Sequence, residues 1–225
     1  MINPSKRKTK AEIASERIEA AIVNCELKPG SVLIEAEISE WLDLGRTPVR
    51  EALVGLASAN LVRLSRAGVI IPELNAMTML KLLELREPIE RLCVERAVLR
   101  QNSADQDAFR DLQSKLSETP PNARRAFMTC LWDVHKTLAS ASQNEFIYAA
   151  LKTTQGLSRR YWGYYATESD QARATEIYRD LLGAIISHEA AHALKASEEL
   201  ISYLRDFTLV TMDRMSGQTR ISGPN

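Results

Sequence analysis

Residues 42–60 read LDLGRTPVREALVGLASAN. The stretch holds the end of a short helix, a tight turn at Asp43-Leu44-Gly45, and a second helix that opens at Arg46-Thr47-Pro48. Proline suits a first helical turn, where an N–H has no intrahelical partner anyway. Val49, Leu53 and Leu56 recur at helical spacing and define one apolar face. Arg46, Thr47 and Arg50 fall on the leading turn and the opposite side. A guanidinium can donate two hydrogen bonds to a guanine edge in the major groove, and a threonine can reach base or phosphate. Asn60 suits the left-handed residue that ends many helices.

An ordinary amphipathic helix with solvated arginines would explain Arg46 or Arg50 taken singly. The flanks argue for more. Upstream, Leu27-Lys28-Pro29-Gly30 is a turn, and Leu33, Ile38 and Leu42 share one side of a short helix. Downstream, residues 61–64 and 69–72 are β-prone runs around Ser65-Arg66-Ala67-Gly68, which predicts a hairpin. With a first helix marked by Ile13, Ile18, Ala21, Ile22 and Cys25, three helices and a hairpin make a winged helix-turn-helix.

Residues 18–71 resemble the DNA-binding domain of the GntR superfamily of bacterial transcription regulators. The carrying residues are Pro29-Gly30, Leu33, Glu35, Ile38, the run Arg46-Thr47-Pro48-Val49-Arg50-Glu51-Ala52-Leu53, Leu56, Leu61-Val62 and Gly68. Gly45 departs from the family's Ser or Thr at the start of the recognition helix, so a capping hydroxyl is absent there. Asn60 replaces a usual Gly, and Ala67 stands where the wing tip often carries a basic residue, with Arg66 adjacent. The resemblance implies DNA contacts from Gly45, Arg46, Thr47, Arg50, Arg66 and Gly68.

The chain has 225 residues, enough for two domains, expected at 1–74 and 75–225. Lys plus Arg and Asp plus Glu balance at 29 each, which argues against an unspecific nucleic-acid coat but not against a local basic patch. No apolar run is long enough to span a membrane, and the first residues lack the apolar core of a signal peptide, so a cytoplasmic protein is expected. Cys25, Cys93 and Cys130 form no CxxC pair and read as buried, reduced thiols. Lys6, Arg7, Lys8 and Lys10 make either a solubilising tail or an arm on DNA phosphates.

Beyond a hinge at 72–75, the periodicity is helical throughout. Helices are expected over 76–100, bent at Pro88, then over 105–116, 124–140, 144–166, 171–187 and 190–215, with a polar frayed end from Ser216. The expected fold is therefore mainly α: an N-terminal winged helix-turn-helix with a small β-hairpin wing, then an all-α antiparallel bundle.

The second part resembles the FadR C-terminal domain, the all-α effector-binding module of the FadR subfamily. Leu85-Arg86, Ile89-Glu90, His135 with the following HKTLASASQN pattern, Ala184-Ile185, Glu189 and Ala193 carry the resemblance. Many such domains hold a divalent metal with an Asp four residues before a first His and two later His. Here those positions are Leu131, Tyr178 and Leu200 beside His135, so no metal and no cofactor is expected. The resemblance implies an effector pocket at His135, Tyr178, Arg86, Arg160 and Asn144. His135 could equally be a satisfied core histidine, and Arg86 a buried ion pair with Glu90. His188 and His192 are expected to be exposed. The aromatic-basic run Arg159-Arg160-Tyr161-Trp162 with Tyr164 and Tyr165 would need an exposed surface to serve nucleic acid, and within a bundle helix it reads as core and dimer packing, with one Tyr or Arg of the run lining the pocket.

A ligand-responsive regulator is then expected, a repressor binding an inverted-repeat DNA operator as a homodimer. Its effector would be an organic acid or a less polar acyl or aromatic metabolite. No nucleophile–base pair supports an enzyme. A DNA-binding protein without an effector is the other alternative.

Overall fold

The computed structural model describes residues 8–221. Lys6 and Arg7 of the basic tail, and the chain end after 221, lie outside the described residues. The chain divides into two compact units that meet between Leu74 and Asn75.

In the first unit, α1 (Lys10–Val23) starts at a capping box, in which Thr9 accepts from the Glu12 backbone and Glu12 returns the bond. β1 (Val32–Leu33), α2 (Glu35–Leu42), α3 (Arg46–Ser58), β2 (Arg63–Ser65) and β3 (Gly68–Ile70) follow. Ile18, Ile22, Leu42, Val49, Leu53, Leu56, Leu61 and Ile71 form the core, each at most 2% exposed. Arg17 donates to the Leu42 carbonyl at 2.8 Å, satisfying a helix-end acceptor of α2 and tying α1 to it. Asp43 (φ 53°) turns the chain left-handed after α2, and Asn60 (φ 58°) does the same after α3.

Two expectations change here. Leu33 belongs not to a helix but to β1, which pairs antiparallel with β3, so the hairpin becomes a three-stranded sheet of order β1-β3-β2. A two-residue strand carries too little periodicity to stand out in a sequence. Cys25 lies past the end of α1 at φ 57° and is half-buried, because the helix stops at Val23.

The second unit is entirely helical among the described residues: α4 (Ala76–Arg100), α5 (Ser103–Glu118), α6 (Arg124–Ala141), α7 (Glu145–Tyr165), α8 (Glu168–Ile186) and α9 (Ala190–Ile221). α4 is the hub, packed on α6, α7, α8 and α9. Side-chain caps mark the entries: Asn75 for α4, Asn102 for α5, Asn144 for α7 and Thr167 for α8. α4 runs unbroken through Pro88. α9 extends past the expected frayed end. No described helix is long and apolar enough to cross a membrane.

Candidate functional site

Two regions concentrate polar chemistry. The first is the outer face of α3. Val49, Ala52, Leu53 and Leu56 are buried, which fixes the helix by one side and leaves Arg46, Thr47, Arg50 and Val54 exposed on the other. Neither Arg46 nor Arg50 has an ion-pair partner among the described residues, so their guanidinium groups are free for an external anion or base edge. Gly45 is the N-cap residue and supplies no side-chain bond. Free N–H groups at this end add a partial positive charge.

In the wing, Arg66 and Ala67 are exposed between β2 and β3. Gly68 has φ +134°, and a Cβ there would collide with the Leu33 carbonyl oxygen. Its glycine is thus required by the close approach of β1 to β3, a structural reason that needs no ligand.

The second region lies inside the helical unit. Arg86 and Glu90 sit one turn apart on the buried face of α4, each 1% exposed. Arg86 Nε donates to Glu90 Oε2 at 3.0 Å and Nη1 donates to Ser158 Oγ at 2.7 Å. The amide of Gln155 donates to Glu90 Oε2 at 2.8 Å and lies 2.9 Å from His135 Nδ1. His135 Nδ1 also lies 3.3 Å from Glu90 Oε1, and its Nε2 lies 2.8 Å from the Tyr178 hydroxyl, so the ring is bonded at both nitrogens and the tautomer decides which partner donates. Four helices, α4, α6, α7 and α8, are thereby joined through side chains.

Burial pushes the His135 pKa below its ordinary value and outweighs the opposing pull of Glu90, in keeping with a neutral ring. Burial also works against the charged form of Glu90, but Arg86 and His135 overcome it and hold the carboxyl down at about 2. The Tyr178 hydroxyl is pushed up to about 12 by burial. Among the described residues, two atoms of the network have no hydrogen-bond partner: Arg86 Nη2 and Gln155 Oε1.

Beside the network lies a cavity of about 20 Å³, lined by Arg86, Leu131, Ser158, Tyr178, Leu200 and Tyr203 among others. It has room for about one water. The three residues at the resembling family's metal-ligand positions, Leu131, Tyr178 and Leu200, therefore face one space. They do not fit a metal: leucine cannot ligate, and both His135 nitrogens are engaged. No group of three or more His, Cys, Asp or Glu among the described residues could hold one.

The other expected pocket residues go elsewhere. Asn144 is the N-cap of α7, its oxygen accepting from Phe146 and Ile147. Arg160 is buried but does not line the cavity, whereas its neighbour Arg159 does and stacks on Trp132 at 4.4 Å. Gln155 and Ser158 were missed from sequence, whereas Arg159 belongs to the aromatic-basic run already singled out. The available signal was two polar residues, Gln155 and Ser158, interrupting the helical stripe Leu151–Trp162. His188 has φ 57°, which breaks the helix between α8 and α9 and removes the i, i+4 geometry with His192. Both histidines are exposed, and His188 bonds the Val98 carbonyl at 3.1 Å.

Comparison with known proteins follows the same division. Residues 81–203 match the FCD domain family, and residues 10–71 match the family described as bacterial regulatory proteins, gntR family. The Nta operon transcriptional regulator of Aminobacter aminovorans is 30% identical over 139 residues, 61% of this chain and 65% of that protein. The gluconate operon transcriptional repressor of Bacillus subtilis is 33% identical over 94 residues, 42% of this chain and 38% of that one. The matched stretches thus span less than two thirds of either relative. Among solved structures, Escherichia coli McbR/YncC superposes with a TM-score of 0.75 at 20% identity, covering 92% of this chain and all of that one. A GntR regulator from a Rhodococcus species gives 0.68 at 19% identity, covering 92% and 99%. At these identities the structures share the fold.

Proposed function

This chain belongs to the FCD-domain family and carries the gntR-family regulatory domain at its N-terminal side, and from that premise we propose that it is a DNA-binding transcription regulator that represses until a small molecule releases it. One observation carries the DNA-binding reading: Arg46 and Arg50 are exposed and without ion-pair partners among the described residues, on a helix whose opposite face is packed. Arg46, Thr47 and Arg50 enter the major groove, and Arg66 reaches phosphate or minor groove from the wing. Gly45 lets the backbone come close to phosphate, and Val54 offers an apolar contact for a thymine methyl. The operator is an inverted repeat read by a homodimer, and the protein acts in the cytoplasm.

The effector reading rests on Arg86 Nη2, a buried donor without a partner beside a cavity. It supports a ligand with a carboxylate or carbonyl held by Arg86 and Tyr178, its remainder in contact with Leu131 and Leu200. The small cavity favours a second reading, in which the polar core is purely structural and DNA binding is constitutive. Selection of binding sites from random DNA, followed by a thermal-shift screen of small carboxylates and acyl thioesters on the full chain, tests both. Failure to enrich any sequence would overturn the regulator. An enriched operator whose affinity no ligand alters would select the second reading.

A further inference from the structure

α3 departs from good helix composition at two adjacent exposed positions. Val54 and Gly55 sit in the middle of the helix, on the side away from the core. A β-branched residue loses rotamer freedom in a helix, and a glycine destabilises it relative to alanine. Gly30 and Gly68 are explained by a positive φ, and Gly163 and Gly183 by the close approach of Met128 and Gln113. Gly55 has neither reason. Its backbone is helical, and a Cβ placed on it would meet nothing within 4 Å. Val54 alone, 52% exposed, would pass as an ordinary surface valine. Two neighbours that each weaken the helix, with nothing in the fold to offset them, mark a place shaped for something outside the chain.

The surroundings identify the occupant. Val54 lies seven residues after Thr47 and four after Arg50, so it continues the outward line that opens with the residues assigned to the major groove. Past Arg50 the exposed positions of α3 are Glu51, Val54, Gly55 and Ser58. None is cationic, so this part of the helix has nothing to hold a phosphate. The Ser58 hydroxyl donates to the Val54 carbonyl at 3.1 Å and is already engaged. Val54 and Gly55 therefore present an isopropyl group beside bare backbone. On the floor of the major groove the matching apolar group is the C5 methyl of thymine.

We propose that Val54 and Gly55 form a notch that receives the C5 methyl of one thymine in each operator half-site, and that residue 55 is glycine so that this base can come against the helix. This deepens the DNA-binding function proposed above and rests on it. Val54 is then a specificity-determining residue, and the valine side chain, held in one preferred rotamer, makes the contact with little further ordering. Four residues of helix rise about 6 Å. At 3.4 Å per base pair the thymine lies about two pairs from the base read by Arg50.

Operator duplexes selected from random DNA, with each thymine replaced in turn by deoxyuridine, test this on the full chain. Uracil pairs as thymine does and lacks only the methyl. Replacement at one position should weaken wild-type binding about 4-fold per half-site, the effect of one buried methyl group. Val54→Ala should bind the unmodified operator about as weakly and be indifferent to deoxyuridine at that position, the non-additivity expected of a direct contact. Gly55→Ala should raise the melting temperature by about 2–4 °C. It should nevertheless bind the operator about 10-fold more weakly, the effect of one unsuitable base pair. Deoxyuridine at the same thymine should recover part of that loss by making room for the new methyl. An operator in which no thymine methyl matters, or a Val54→Ala protein that keeps the full deoxyuridine effect, would overturn the notch and leave the DNA-binding reading standing. So would a Gly55→Ala protein that melts higher and binds as tightly as wild type. If no sequence is enriched from random DNA, the DNA-binding reading falls and the notch with it.

Discussion

The outer face of α3 and the polar core around His135 use the same side chains in opposite ways. On α3, Arg46 and Arg50 stand in solvent without ion-pair partners among the described residues, and the helix is held by the apolar residues behind them. In the core, Arg86 is 1% exposed and its fork is divided between Glu90 and Ser158. The first region can lose a charge with little effect on folding. The second cannot, because a buried charge without its partner costs far more than the pair contributes. Function on α3 and stability in the core should therefore separate cleanly under mutation.

The largest effect is expected from Glu90→Ala. It leaves the Arg86 guanidinium buried without its carboxylate and frees the Gln155 amide, and urea unfolding should show a loss of about 3–5 kcal/mol. Adding Arg86→Met should recover part of that, because it removes the stranded charge while the volume lost at Glu90 remains. An Arg86→Met/Glu90→Ala protein no more stable than Glu90→Ala would mean that the core is held by something other than this pair.

On the other side of the comparison, Arg50→Ala should leave stability within about 0.5 kcal/mol of wild type. Its affinity for the selected operator should fall by about 1–3 kcal/mol, with relaxed preference at one base pair. An operator affinity equal to wild type would break the docking of α3. A uniform loss over all sequences, with a shallower salt dependence, would make Arg50 a phosphate contact instead.

pH tests the core side of the contrast. The folded-state pKa of His135 is depressed below its ordinary 6.5. The unfolded chain therefore takes up a proton below pH 6.5 that the folded core refuses, and stability present above that pH is lost as pH falls toward the folded value. The slope should approach about 1.4 kcal/mol per pH unit. Glu90, held at about 2 against an ordinary 4.5, adds a second loss as pH falls from 4.5 toward 2. Urea midpoints measured in steps from pH 8 to pH 5 should show the first loss in wild type and not in His135→Gln.

The same comparison explains what the sequence made legible. The α3 face is one contiguous run, so its residue types and spacing can be read directly, as can the apolar period that buries the rest. The core is assembled from Arg86, Glu90, His135, Gln155, Ser158 and Tyr178, spread over four helices. A period places each on an inward face but does not say which of them meet. Hence Arg160 was favoured over Arg159 for the pocket, although they are adjacent, because the angular difference between neighbours on a helix exceeds what pattern resolves. Asn144 was read as a pocket residue because its motif was intact, while its side chain is spent on a helix cap. β1 escaped because two residues have no period. Its pairing is nevertheless what obliges Gly68, so a glycine attributable to DNA has a sufficient cause in the sheet.

The smallest expected effect is also the one on which the two regions differ in sign. Gly45 precedes α3 at φ −63° and ψ 158°, an extended conformation that serine adopts without strain. A Cβ placed there would meet only the Pro48 ring at 3.8 Å, an ordinary contact. Gly45→Ser thus adds an N-cap hydroxyl that can accept from an otherwise unsatisfied N–H, worth a few tenths of a kcal/mol relative to glycine. It also narrows the unfolded ensemble, bringing the total to roughly 0.5–1 kcal/mol of added stability. Operator affinity should hold or rise slightly, since a hydroxyl at a helix N-terminus can also donate to phosphate. In the core no single substitution is expected to stabilise, because each of these side chains is tied to at least one other, which the change would strand. At Gly68 the same change would be severe, as the +134° φ and the Leu33 carbonyl both forbid a side chain. Thermal melts and operator titrations of Gly45→Ser decide the matter. A lowered melting temperature would mean that the turn into α3 needs glycine itself, and that the open face of the recognition helix has less freedom than its exposure indicates.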